Sequence, residues 1–357
     1  MRRVSTDAPG RHGWSRVASA LAALVLSSFV FAAPASADST ATCTDVNVPV
    51  TLDLLLPAKV HAKLCVPPGP RHTAIQVLLH GATYNSYYWD FPYQPQTYSY
   101  VRAANAAGYA TLNVDRVGYG LSSRELSATL TATTQALVVH QVIQKLRAGA
   151  VNATKFAQVI LVGHSMGSGI VELETSLYHD VDGVVLTGVT HHISATDLLT
   201  VLLADQHPAI LDPKFGLAYD PGYLTTIPGR RAATFYATAD TDPAVIAADE
   251  ALKDVVSATE LPDVITAGIT APVSLAITAP VLIADGSLDN FFCSGLLASD
   301  CTNAATLAQE EAPYFSPAAQ LQTYVLSGAG HDLNLELNTA SYQQAVMAWA
   351  NRFVPDL

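Results

Sequence analysis

A serine set between two glycines, Gly163-His164-Ser165-Met166-Gly167, is the first arrangement in this sequence that could do covalent chemistry. A serine hydroxyl becomes a useful nucleophile only when a neighbouring base takes its proton. Histidine is the side chain suited to that task near neutral pH. The sequence holds eleven histidines, so position must decide among them. His331 stands in Ser327-Gly328-Ala329-Gly330-His331-Asp332, just past an apolar run ending at Leu326. The rivals His191 and His192 also follow a strand-like run. They precede every late carboxylate, against the Ser…Asp…His order that goes with a serine on a strand-to-helix elbow. A carboxylate is needed to orient the imidazole and to stabilise its charged form. Asp289, in Gly286-Ser287-Leu288-Asp289, is favoured over Asp285, which ends the preceding run itself. Together Ser165, His331 and Asp289 would carry out acyl transfer through a covalent acyl-enzyme.

These residues must be brought together by the elements around them. Ala74–His80, Ala110–Asp115, Gln158–Val162, Gly183–Thr187, Pro280–Asp285 and Gln322–Leu326 are short apolar runs, the pattern of strands buried on both faces of a parallel sheet. Two further strands are expected at Val50–Leu56 and Val60–Val66. Helical stretches alternate with the runs: Thr97–Ala107, Ala128–Arg147, Met166–Tyr178, Ala304–Ala312 and Ser341–Phe353. This rhythm predicts a mostly parallel sheet covered on both faces by helices. It breaks between about 190 and 275, where Pro- and Asp-rich turns surround helical pieces such as Ala244–Thr259. That stretch is expected to be a helical cap inserted at the carboxyl end of the sheet, where such folds bind their substrates.

With these motifs in place the chain resembles the α/β-hydrolase superfamily, in particular its bacterial secreted esterase- and lipase-like members. The resemblance rests on His80-Gly81, Asp115-Arg116-Val117-Gly118-Tyr119-Gly120-Leu121-Ser122, Gly163-His164-Ser165-Met166-Gly167, Gly286-Ser287-Leu288-Asp289 and Gly328-Ala329-Gly330-His331, in that order. It implies the α/β-hydrolase fold, no metal or organic cofactor, and an oxyanion hole made by the backbone N–H groups of Ala82 and Met166. The sequence departs from the HGGG variant of esterases, having His80-Gly81-Ala82-Thr83. Tyr84, Tyr88 and Trp89 belong to an aromatic stretch suited to walling an apolar substrate pocket. A hydrolase of carboxylic esters is expected. An acyltransferase or perhydrolase would use the same triad, and a binding protein on the hydrolase scaffold is the non-enzymatic alternative.

Composition supports a folded, exported chain. The 357 residues are 50% hydrophobic and 13% charged, with a mean hydropathy of +0.27. Arg2, Arg3, Arg11 and Arg16 precede an uncharged apolar run, Val17–Ala33, and then Ala35-Ser36-Ala37. This is the pattern of a Sec-type signal peptide cleaved after Ala37, leaving 38–357 as the hydrolase domain with no stable membrane anchor. Loss of the leader's four arginines and one aspartate takes the net charge from −12 to −15. An acidic body without basic clusters is unsuited to nucleic acid, so a small-molecule or lipid-like ester is the expected partner. All four cysteines fall after the leader. Two disulfides are expected outside the cell. Local pairing, Cys43–Cys65 and Cys293–Cys301, is the first of the three possible connectivities.

Overall fold

A computed structural model describes residues 41–69 and 74–354. The expected signal peptide lies outside the described residues. Asp38–Leu357 make one compact unit. Among the described residues no helix is long and apolar enough to cross a membrane.

The strands are β1 (Thr42–Thr51), β2 (Pro57–Val66), β3 (Ala74–Leu79), β4 (Ala110–Val114), β5 (Gln158–His164), β6 (Gly183–Thr187), β7 (Gln206–Pro208), β8 (Tyr223–Thr226), β9 (Val256–Ser257), β10 (Val281–Gly286) and β11 (Gln322–Leu326). Eight of them form one sheet in the order β1-β2-β4-β3-β5-β6-β10-β11. Of these eight only β2 runs against the others, antiparallel to β1 and to β4. Every residue of β3, β4, β5, β6 and β10 is buried. That is why these strands read as mostly apolar runs, with a few buried polar residues such as Gln76, Thr111 and Asn113. Helices flank the sheet: Ala132–Ala148 packs on Met166–Tyr178, and Tyr100–Ala106 packs on Thr339–Phe353.

Two expectations are corrected. The first strand is Thr42–Thr51, and the apolar stretch Asp53–Leu55 is a 3₁₀ turn. An edge strand with one wet face carries few apolar residues, so its pattern TCTDVNVPVT was overshadowed by Leu54-Leu55-Leu56. Leu55 is in fact 85% exposed. The register of β1 on β2 sets Cys43 opposite Cys65, and the two are joined, as are Cys293 and Cys301. The second correction concerns the inserted segment between β6 and β10, which is helical only in part. It contains the antiparallel sheet β7-β8-β9, and the expected helix Ala244–Thr259 stops at Leu252 before β9 begins. Past the helix end the side chains of Lys253 and Asp254 are both buried: Lys253 Nζ donates to Thr226 O of β8 at 2.7 Å, and Asp254 Oδ2 accepts from Asn85 Nδ2 at 2.9 Å.

Candidate active site

β5 ends at His164 and the helix Met166–Tyr178 begins one residue later, with Ser165 alone between them. Its backbone has φ 53° and ψ −122°, a conformation that costs a non-glycine residue energy and persists only where the surroundings impose it. They do so here. Ser165 N–H donates to Thr187 O at 2.8 Å, and Ser168 Oγ holds the same carbonyl at 3.0 Å. The flanking glycines permit the turn. A Cβ on Gly163 would lie 2.5 Å from Ser168 Cα, and one on Gly167 2.5 Å from Leu79 O.

The other two candidates arrive from neighbouring strands. Asp289 follows β10, and the loop after β11 carries His331. Asp289 Oδ2 lies 2.7 Å from His331 Nδ1. Asp289 Oδ1 accepts the N–H groups of Phe291 at 2.7 Å and Phe292 at 3.3 Å. Burial alone would discharge both groups. Their mutual attraction outweighs it, so the Asp289 carboxyl titrates below and the His331 imidazole above its ordinary value. The rings of Phe291, Phe292 and Phe235 surround His331 at 4.7, 5.9 and 6.0 Å. Asp285 makes no hydrogen bond with His331; its Oδ1 accepts the Gly286 N–H at 2.8 Å. It is wholly buried, its Oδ2 has no partner among the described residues, and burial beside Asp289 favours its protonated form.

Ser165 and His331 open onto one pocket, together with Ala82 and Met166. The Ser165 hydroxyl makes no hydrogen bond among the described residues, and the Ala82 and Met166 backbone N–H groups are likewise unpartnered. Nucleophile–base contacts commonly tighten only when substrate is bound. The rest of the lining is apolar: Ile193, Leu198, Val201, Phe235, Leu261, Ile265, Ile269, Phe291 and Phe292. All but the last two come from the inserted segment. Two π-helical turns, Val201–Asp205 and Ile265–Ile269, bring several of them in. Such turns recur at functional sites. Gln206, at the end of the first, is the exception: an amide whose side chain has no hydrogen-bond partner among the described residues.

Of the aromatic residues expected at the pocket, Tyr84 lines it, whereas Tyr88 and Trp89 do not. Both are buried away from it. Tyr88 stacks on His164 at 4.1 Å, and Trp89 packs edge-on against Tyr88 and Tyr100. Tyr84 hydroxyl donates to Asp332 Oδ2, and its ring lies over the Arg231 guanidinium at 4.2 Å. Arg231 in turn grips Asp249 with two bonds of 2.7 and 2.9 Å. His191 is also outside the pocket. Its Nδ1 meets Glu311 Oε2 at 2.6 Å and its Nε2 meets Ser274 Oγ at 2.8 Å. Burial opposes its charge, but Glu172 and Glu311 prevail and raise it to about 10. Sequence reasoning missed Gln206, Asp332 and the three phenylalanines. Asp332 alone carried a signal, as the neighbour of His331.

Residues 76–343 match the family described as Alpha/beta hydrolase family. The chain belongs to that family. No curated protein matches this alpha/beta hydrolase in sequence. In fold it is similar to a thermophilic esterase from Thermogutta terrifontis solved with malate bound, at TM-score 0.58 and 16% identity, covering 86% of this chain and 98% of that one. A bromoperoxidase from Bacillus anthracis gives TM-score 0.58 at 18% identity over 85% and 99% of the two chains. Est1E from Butyrivibrio proteoclasticus, solved with ferulic acid bound, gives 0.53 at 15% identity over 86% and 99%. At such identities the likeness is one of fold, and different chemistries share this fold.

Proposed function

We propose that this alpha/beta hydrolase is an exported serine hydrolase that cleaves carboxylic esters through an acyl-enzyme. The observation that supports this most is convergence: a strained serine, a buried histidine–aspartate pair and two unpartnered N–H groups meet in one apolar pocket. Ser165 attacks the ester carbonyl while His331 takes its proton. Asp289 holds the imidazole tautomer and stabilises the cation that forms. The N–H groups of Ala82 and Met166 receive the negative oxygen of the tetrahedral intermediate, each worth roughly a factor of 10² to 10³. His331 then protonates the departing alcohol, and water repeats the sequence on the acyl-enzyme. The three phenylalanines keep the imidazole dry, which strengthens its pairing with Asp289.

The segment at about 190–275 acts as a cap, since seven of the nine apolar lining residues named above are its own. Cavity size sets the substrate class. The free volume is about 60 Å³, room for about five heavy atoms if each needs the space of one water. A short acyl group, acetyl to butyryl, fits that space. The two disulfides suit a chain exported after cleavage at Ala37.

The test is hydrolysis of p-nitrophenyl esters from acetate to palmitate by the wild type and Ser165→Ala, with fluorophosphonate labelling in parallel. The expected result is turnover peaking at short chains, and neither turnover nor label in the variant. A folded wild type that takes no fluorophosphonate at Ser165 would reject the reading.

A further inference from the structure

The site above leaves one group of ligand-type side chains unexplained, on two packed helices and the turn that follows the second. His140 lies on the helix Ala132–Ala148, Glu174 on the helix Met166–Tyr178, and Asp180 two residues past the end of the latter. One ligand atom from each falls within 4.8 Å of the other two, and this is the only such grouping among the described residues. Its hydrogen bonding is incomplete in a specific way. Asp180 Oδ2 is satisfied by His140 Nδ1 at 2.8 Å and Gln144 Nε2 at 2.7 Å. Asp180 Oδ1 and Glu174 Oε1 are both buried without a partner. Glu174 has no exposed surface at all, and its other oxygen has only Thr175 Oγ1 at 3.5 Å. Arg147 spends its donors on Asp180 O, Ala157 O and the Asp182 carboxylate, and makes no bond to either orphaned oxygen.

Two buried carboxylate oxygens with nothing between them repel, and buried charge is tolerated only when paired or bound to metal. We propose that His140, Glu174 and Asp180 bind a divalent transition-metal ion, Zn²⁺ or Mn²⁺. One imidazole and two carboxylates are the donor set such ions take, with water filling the remaining positions. Tetrahedral zinc with bonds of about 2.0–2.1 Å separates its ligand atoms by about 3.3 Å. Small side-chain rotations within the present 4.8 Å envelope reach that spacing. His140 is oriented by stacking on Tyr178 at 4.0 Å, and Gln144 steadies Asp180, as the supporting partners of metal ligands usually do. The side chains of His140 and Asp180 stay 27% and 11% exposed, which leaves an edge for entry and for a bound water. The ion would join the helix Ala132–Ala148 to the tail of the helix whose first turn carries Met166. Its role is structural, and it is independent of the ester chemistry.

The competing occupant is a proton shared between Glu174 and Asp180, since burial and then the Asp180 carboxylate push Glu174 to about 9. The experiment separates the two. The full chain, stripped with EDTA, is titrated with Zn²⁺, Mn²⁺ or Ca²⁺ while melting and bound metal are measured. The same is done for Glu174→Gln, which imitates the protonated acid, and His140→Phe, which keeps the stack on Tyr178. One equivalent of Zn²⁺ or Mn²⁺ is expected, with a rise in Tm of about 4 °C at a hundredfold excess over Kd. Both variants should melt near the stripped wild type and lose the response. Calcium needs six to eight oxygens and should do nothing. The proposal is overturned if no transition metal binds; Glu174→Gln as stable as the wild type would then show that a proton suffices. It is equally overturned if the response survives in both variants or appears with Ca²⁺ alone.

Discussion

Two histidine–aspartate pairs lie side by side in this protein, with the rings of His331 and His164 4.8 Å apart, and they are driven in opposite directions. His331 meets Asp289 at 2.7 Å, and His164 meets Asp332 at 3.2 Å. All four side chains are buried. Yet His331 is raised, while burial and then the neighbouring His331 hold His164 well below its ordinary value. For His331 the attraction of Asp289 outweighs burial, and for His164 nothing does. Asp289 takes two backbone N–H groups and stays ionised. Asp332 has no backbone donor among the described residues, and burial lifts it to about 6 despite Tyr84. Contact between histidine and carboxylate therefore does not make a base. What sets His331 apart is a carboxylate that accepts two backbone N–H groups and a place on the pocket, both of which His164 lacks.

The sharpest way to break this comparison is to remove each histidine in turn. His331→Ala should lower kcat by on the order of 10⁶, as loss of a catalytic histidine does elsewhere. His164→Phe, which keeps the stack on Tyr88, should cost about tenfold or less, through the loosened elbow. Equal losses would show that the two pairs act as one unit. The carboxylates come next. Asp289→Asn should reduce kcat by about 10⁴, while Asp332→Asn leaves it within about tenfold of wild type; steady-state kinetics on a short ester decides.

The pH profile sharpens the contrast further. Only neutral His331 can accept the serine proton, so kcat/KM should rise with pH through a value above 6.5. In Asp289→Asn the residual activity should rise through a lower value, because the counter-charge that favours imidazolium is gone. An unmoved midpoint would assign the titration to another group. Stability reads the second pair. Asp332 binds its proton more tightly folded, at about 6, than unfolded, so its contribution is complete below about 4 and lost as pH climbs to about 6. Across that window Tm of Asp332→Asn, fixed in the neutral form, should gain on the wild type. A constant difference would place the proton elsewhere. The smallest effect concerns Gln206. Its unpartnered amide in an apolar wall should disfavour alkyl chains, so Gln206→Met should raise kcat/KM on the butyrate ester by about threefold, the scale of one unmade hydrogen bond. A fall would mean that the amide meets the substrate.

The sheet was legible because strands buried on both faces leave runs such as QVILV, and because turns announce themselves with glycine. Ser165, Asp289 and His331 could be singled out for the same reason: each stands directly after such a run. What escaped reading depended on tertiary placement. The phenylalanines around His331 are two and three positions beyond Asp289 and, for Phe235, in an insertion with no periodic pattern. Tyr84 and Tyr88 are four residues apart in one aromatic stretch, and only packing decides that one faces the pocket while the other lies against His164. The edge strand β1 hid because half its residues face water.

One contact in the interior has a practical consequence for exchanging parts between members of this family. Gly169 in the helix after Ser165 and Gly268 in the inserted segment touch backbone to backbone: a Cβ on Gly268 would stand 2.4 Å from Gly169 O, and one on Gly169 would stand 2.7 Å from Val264. The pair works like a key and its slot. A foreign insertion grafted between β6 and β10 will seat on this scaffold only if it brings a glycine to that spot, however well its own pocket residues are chosen.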